Sequence, residues 1–195
     1  MTNLPVNGAF TVTAAYGETG SYWKDGHKGI DIVADDKTVY STCEGTVRVV
    51  GYDENGWGRY VSVGDSSGFR HIFCHLEKDS VKVVTGQYVT RKTVIGTMGK
   101  TGNVTGVHLH YQINDNKNVP VNPTEHLRIP NKRGSYNSKN FSVYADENKI
   151  ADYAKDAVKF VTDREIMLGD GTNFNPTAFI TRQEIAVILK RILEE

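Results

Sequence analysis

Sixteen of the nineteen glycines fall before residue 107, scattered among short runs rich in Val, Ile, Thr and Tyr such as GTVRVVGY, GRYVSVG and RHIFCHL. Glycine supplies turn conformations that other residues reach only under strain, and β-branched and aromatic side chains suit a pleated sheet. The pattern predicts an antiparallel, mainly β domain with many turns, and it stops near VNPTEHLRIP. The following NKRGSYNSKN is polar, contains Gly and Ser and shows no apolar period, so it is expected to be a linker. Beyond it Ile150, Tyr153, Ala154, Ala157, Val158 and Val161 recur at helical spacing, as do Ile185, Ile188, Leu189, Ile192 and Leu193. Between these two helices LGDGTNFNP is turn material, and Thr181 with Glu184 forms a capping box at the start of the second, flanked by Ile180 and Ile185 as a hydrophobic staple. The expected organisation is a β domain over residues 1–128, a linker over 129–144 and a small α-helical module over 145–195. Two helices make a thin core that needs a neighbour, a repeat or an oligomer to cover it.

The 23 basic and 23 acidic residues cancel, with no block of one sign. This argues against a nucleic-acid partner and against a polybasic membrane anchor. MTNLPVNGAFTV has no basic region followed by an apolar stretch, and no later run approaches the ~20 apolar residues of a membrane span. The chain as given is therefore expected to be made in the cytoplasm without an export signal. Cys43 and Cys74 could pair, but without a sign of secretion they are expected to be free thiols.

GVHLHYQI, residues 106–113, alternates apolar and polar. Val107, Leu109, Tyr111 and Ile113 fall on one side of a half-buried strand and His108, His110 and Gln112 on the other. Two neighbouring imidazoles suit a metal site or an acid/base pair, or simply a solvated face. His27 and Asp31, in GHKGIDIV, are suitable zinc ligands, yet in a straight strand their Cα atoms would lie ~13 Å apart. The backbone must turn between them; Gly29 is placed to allow it, with Ile30 and Ile32 anchoring the segment in the core. In RHIFCHL, period two groups His71, Phe73 and His75 on one face, so either histidine could reach a shared site.

HKGID, FCHL and GKTGNVTGVHLHYQI, in that order, together with EGTVRVVG, GWGRYVSV and GQYVTRKTVIGTMG, closely resemble the lysostaphin/LytM-type zinc endopeptidases that cut peptidoglycan cross-bridges. The resemblance runs from about Tyr16 to Pro123. It implies one zinc per chain, held by His27, Asp31 and His110, with His75 and His108 as the two non-ligand histidines at the scissile bond. Val107 stands where the family often has proline and Cys74 where a small residue is common. Three protein ligands leave a fourth position for water, as in catalytic zinc sites. His71 matches no family position and is expected to be structural, and His126 is expected at the surface. Tyr22 and Trp57 could line a groove for an extended peptide or serve packing.

Residues 153–193 resemble one S-layer-homology repeat, with ITRQE at the position of that family's Thr-Arg-Ala-Glu motif. The resemblance implies binding to secondary cell-wall polymer through Arg182; the alternative is that TRQE is only a good helix start. A single repeat could be completed by other chains, as a homo-oligomer, or by docking on the enzyme domain. The resulting expectation is a peptidoglycan hydrolase, released at lysis like a phage or prophage endolysin, or exported if a signal was removed. The rival is a non-catalytic wall-binding or regulatory adaptor on the same fold, in which ligands or catalytic histidines would be missing; here all five positions are filled.

Overall fold

The runs GTVRVVGY, GRYVSVG and RHIFCHL are strands: β4 (Gly45–Asp53), β5 (Gly58–Gly64) and β6 (Arg70–Leu76) form an antiparallel meander. The computed structural model describes residues 4–138, 144–164, 166–170 and 173–193. The chain divides into two units, residues 2–141 and 142–195. In the first, the meander is extended by β1 (Ala9–Ala14), β2 (Ile30–Ala34), β7 (Tyr88–Val89), β9 (Leu109–Asn114) and β11 (Gly134–Asn137). Their order is β11-β1-β2-β9-β6-β5-β4-β7, with β10 (Pro120–Val121) on the end of β9. A separate pair, β3 (Thr38–Tyr40) and β8 (Val94–Thr97), completes this antiparallel, mainly β unit.

Strand parity sorts the side chains. Ile30, Ile32, Phe73, Leu109, Tyr111 and Ile113 enter one apolar core with Val39 and Ile95 of the small sheet, all fully buried. Each such aliphatic side chain contributes about 1.5–3 kcal/mol, so Ile30 and Ile32 pin Asp31 between them to the opposite face. The register places Asp31 and Cys74 each beside His110 on that second face. Period two predicts a half-buried strand over 106–113, but β9 begins at Leu109 and all its residues are buried. The difference arises because its polar side chains bond to one another and to their neighbours instead of to water. Cys43 and Cys74 are free thiols, both buried.

The segment expected to be a linker is partly sheet. Gly134–Asn137 pairs with β1, from Ala9↔Asn137 to Val12↔Gly134. Its polar composition hid Tyr136, whose ring packs 5.7 Å from that of Phe10. Residues 139–143 of the expected linker lie outside the described residues.

In the second unit a 3-10 turn (Asp152–Ala154) leads into α2 (Lys155–Asp163), and α3 (Arg182–Leu193) follows, where α1 (Pro123–Leu127) is the short helix after β10. The capping box forms as expected: Thr181 N donates to Glu184 Oε2 (2.7 Å) and Glu184 N to Thr181 Oγ1 (3.2 Å). Ile180 and Ile185, the expected staple, both stay exposed. Of the expected turn between the helices, residues 171 and 172 lie outside the described ones. The core of this unit is small: Tyr144, Ile150, Thr162 and Ile166 are buried, whereas no residue of α3 is. Among the described residues no helix is long and apolar enough to cross a membrane.

Candidate metal centre and active site

Asp31 is the hub of the second face. Its Oδ1 lies 2.9 Å from His110 Nδ1 and 3.2 Å from His27 Nε2, and those two nitrogens are 3.0 Å apart. One donor atom from each residue thus falls within 4.8 Å of the others, and all three side chains are buried. Burial alone would raise the Asp31 carboxyl, but the His110 and His27 imidazoles set against its Oδ1 outweigh it and hold the group well below the usual carboxylate range. Two imidazole nitrogens and a carboxylate oxygen converging on one point form a donor set that fits zinc.

His27 reaches Asp31 because the chain bends at Lys28 and Gly29. The glycine sits at the expected bend and has a second role there. Its φ is not in the left-handed range, but a Cβ there would sit 2.4 Å from the Tyr111 carbonyl oxygen and 2.8 Å from His110 Cε1. Gly29 is the gap into which the His110 ring fits.

Each imidazole is oriented by a bond on its far nitrogen. Backbone carbonyls of Ala15, Thr101 and Gly106 accept from Nδ1 of His27 (3.1 Å), His75 (3.0 Å) and His108 (3.0 Å) respectively. A carbonyl only accepts, so Nδ1 carries the proton in all three and Nε2 is the free nitrogen. His110 is reversed: Nδ1 faces Asp31, and Nε2 lies 3.3 Å from Gln112 Oε1.

His75 joins this group through a break in strand period. Between Phe73 and Leu76 two residues of β6 oppose the single Tyr60 of β5, and His75 adopts φ 60°. This bulge turns His75 away from the side that period two assigns it, the side of His71 and Phe73. Its ring centroid lies 4.8 Å from that of His108 and 5.9 Å from that of His110. Burial, with His110 and His108 adding to it, pushes its pKa down to about 4, so the ring is neutral at neutral pH. His108 Nε2 is 3.8 Å from Asp31 Oδ1. His71, as expected, stays out of the site: its Nδ1 is 2.7 Å from the Tyr111 hydroxyl, inside the core.

The five residues floor an open cleft of about 610 Å³. Tyr22 lines it and is 74% exposed, whereas Trp57 does not line it; Trp57 packs on Tyr60 and its carbonyl accepts from His75 N (2.8 Å). Sequence reasoning missed Trp23, whose ring lies 4.4 Å from that of His27, and Arg133, which reaches the cleft from the expected linker while paired with Glu18. Trp23 adjoins the aromatic that was singled out; Arg133 gave no local signal. His126, expected at the surface, is half-buried against Phe69 and His71.

Residues 25–123, half the chain, match peptidase family M23. The chain belongs to peptidase family M23. Residues 143–186 match the S-layer homology domain, so both expected resemblances are borne out. The M23 domain is 38% identical over 87 residues to the peptidoglycan DD-endopeptidase ShyC of Vibrio cholerae; the match takes in 44% of this chain and 19% of that protein, so the chain spans about a fifth of its length. Among solved structures, a zinc-containing peptidase from Vibrio cholerae aligns with TM-score 0.56 and 27% identity over 67% of this chain and 40% of that one. The catalytic domain of lysostaphin from Staphylococcus simulans aligns with TM-score 0.53 and 25% identity over 59% of this chain and 90% of that one. The M23 fold, the helical S-layer-homology piece and zinc as the metal agree with the sequence-based expectation.

Proposed function

We propose that the chain is a zinc-dependent endopeptidase that hydrolyses peptide cross-bridges of bacterial peptidoglycan. The observation that carries this is the buried convergence of His27, Asp31 and His110 beneath a cleft that also receives two free imidazole nitrogens, Nε2 of His75 and of His108. His27, Asp31 and His110 would hold the zinc, which when bound would supply a Lewis acid to activate water and polarise a peptide carbonyl. The protein residues do the proton work. With Nδ1 of His75 and His108 fixed on carbonyls, each Nε2 can take a proton from water or give one to a leaving amine, and a protonated Nε2 can donate to the charge developing on the scissile carbonyl oxygen. The open cleft and the exposed Tyr22 suit an extended peptide in a polymer lying outside the protein.

The second unit would hold the enzyme to the wall. Its similarity to S-layer homology domains, with Arg182 exposed at the first turn of α3, supports binding to anionic secondary cell-wall polymer. The exposed side chains of Ile185, Val187, Leu189 and Ile192 support completion of this unit by other copies of the chain. The test is digestion of purified peptidoglycan with mass spectrometry of the fragments. Cleavage within peptide bridges, abolished by chelation and restored by zinc, is expected; intact walls at stoichiometric zinc would overturn the reading in favour of a non-catalytic adaptor.

A further inference from the structure

Of the four imidazoles at the centre, three are held by backbone carbonyls, which no substitution removes. The fourth, the ligand His110, is held by a side chain, and that side chain is an amide that could face it in either sense. We propose that Gln112 is a positioning residue for the metal centre, holding His110 in the tautomer that leaves Nδ1 free to coordinate, and that Arg70 fixes the sense of the amide through Asn118 and Asn114. This rests on the zinc reading above.

Donor and acceptor chemistry fixes the sense of each bond. If Gln112 presented its NH₂ to His110, Nε2 would have to accept, the ring proton would move to Nδ1, and the nitrogen aimed at Asp31 and His27 could no longer bind a metal. Gln112 is prevented from turning because its Nε2 donates to Asn114 Oδ1 at 2.7 Å. Asn114 is prevented in turn because its Nδ2 donates to Asn118 Oδ1 at 3.0 Å. Asn118 Oδ1 must be an acceptor, since Arg70 donates to it from NH1 at 2.9 Å and a guanidinium has no acceptor. Arg70 is itself held by Nε donating to the buried Ser62 Oγ at 3.3 Å. A donor-only group near the surface therefore sets the direction of four successive bonds ending on a buried ligand. Gln112 and Asn114 are both buried, so water does not compete for the bonds they make. Partners of this kind, accepting the far N–H of a metal-bound imidazole, commonly govern affinity by about 10–100-fold.

The experiment is a zinc titration of the full chain against a chromophoric chelator, with nitrogen NMR of the His110 side chain in the zinc-loaded protein. Gln112→Met keeps the reach of the side chain and removes the acceptor; it is expected to weaken zinc binding about 10–100-fold. Gln112→Glu keeps an acceptor and is expected to stay within about threefold of the parent, since a carboxylate is an equally suitable partner. In the parent chain the His110 proton is expected on Nε2. Unchanged affinity in Gln112→Met, equal losses in the Met and Glu variants, or a proton on Nδ1 would each overturn the proposal. The NMR observation needs no variant, so it decides even if Gln112→Met does not fold. A parent chain that takes up no zinc defeats the metal reading itself, a different result seen before any variant is made.

Discussion

His71 and His75 stand four residues apart on β6 and serve opposite ends of the molecule's chemistry. His75, rotated by the bulge, meets the cleft. Ala substitution of His75 or His108 is expected to leave one zinc per chain while lowering turnover by about two to four orders of magnitude, and His110→Ala to lose the zinc, as metal analysis beside a turnover assay would show. His71 is closed in by Thr42, Tyr111 and Asp65, with His126 beside it. Burial pushes its pKa down to about 4 against the opposing pull of Asp65. In the unfolded chain the same group titrates near ~6.5. Between these values the unfolded state binds more protons, so the contribution of His71 is complete above ~6.5 and falls as pH drops toward 4, by at most about 1.4 kcal/mol per unit. Denaturant unfolding in excess chelator should therefore show a steeper acid loss in the parent than in His71→Gln, while His71→Gln keeps the parent's turnover at neutral pH. Parallel acid profiles would contradict the burial argument.

Two glycines show how elements are fitted around the site, and they separate metal binding from catalysis. Gly29 on the approach to β2 makes room for the His110 ring. Gly58 opens β5 at φ 61°, and a Cβ there would lie 2.2 Å from the Thr101 carbonyl oxygen, the acceptor that orients His75. Gly29→Ala is expected to destabilise the fold by about 1–3 kcal/mol and to weaken zinc binding. Gly58→Ala should have a similar cost, from left-handed strain and displacement of Thr101, yet spare zinc and reduce turnover. Thermal unfolding, zinc titration and turnover on the two variants distinguish these outcomes; loss of zinc in both would show that the two supports are not separate.

For the whole molecule, the boundary of the enzyme unit matters to any truncation. Ending the chain at Pro130 would remove β11 and leave β1 as a bare edge, while also removing Arg133 from the cleft. Ending it at residue 141 keeps both. The 1–141 form is expected to hydrolyse soluble peptidoglycan fragments like the full chain but to sediment less with intact walls, and the 1–130 form to be less stable than either. If 1–141 bound walls as tightly as the full chain, and Arg182→Ala likewise, the proposed anchoring role of the second unit would be lost.

What a chain can state locally, this one stated. Glycine-spaced β-branched runs determined strands almost to the residue, Thr181 and Glu184 determined the start of α3, and the order of HKGID, FCHL and HLH determined the family, because each depends on neighbours within a turn or a strand. The site residues His27, Asp31, His75, His108 and His110 were named from motifs alone, but their mutual geometry was not legible. Period two put His75 beside His71, composition made residues 134–137 a linker, and Gly29 showed its turn but not the ring it makes room for. Only the tertiary structure decided these points, since each is settled by a partner distant in sequence: the bulge against Tyr60, Tyr136 on Phe10, the His110 ring over Gly29. The same holds for the direction of the Arg70 to Gln112 chain. Donor and acceptor sense along it is set by which groups strand pairing brings within 3 Å or so, and no local pattern in the sequence encodes that pairing.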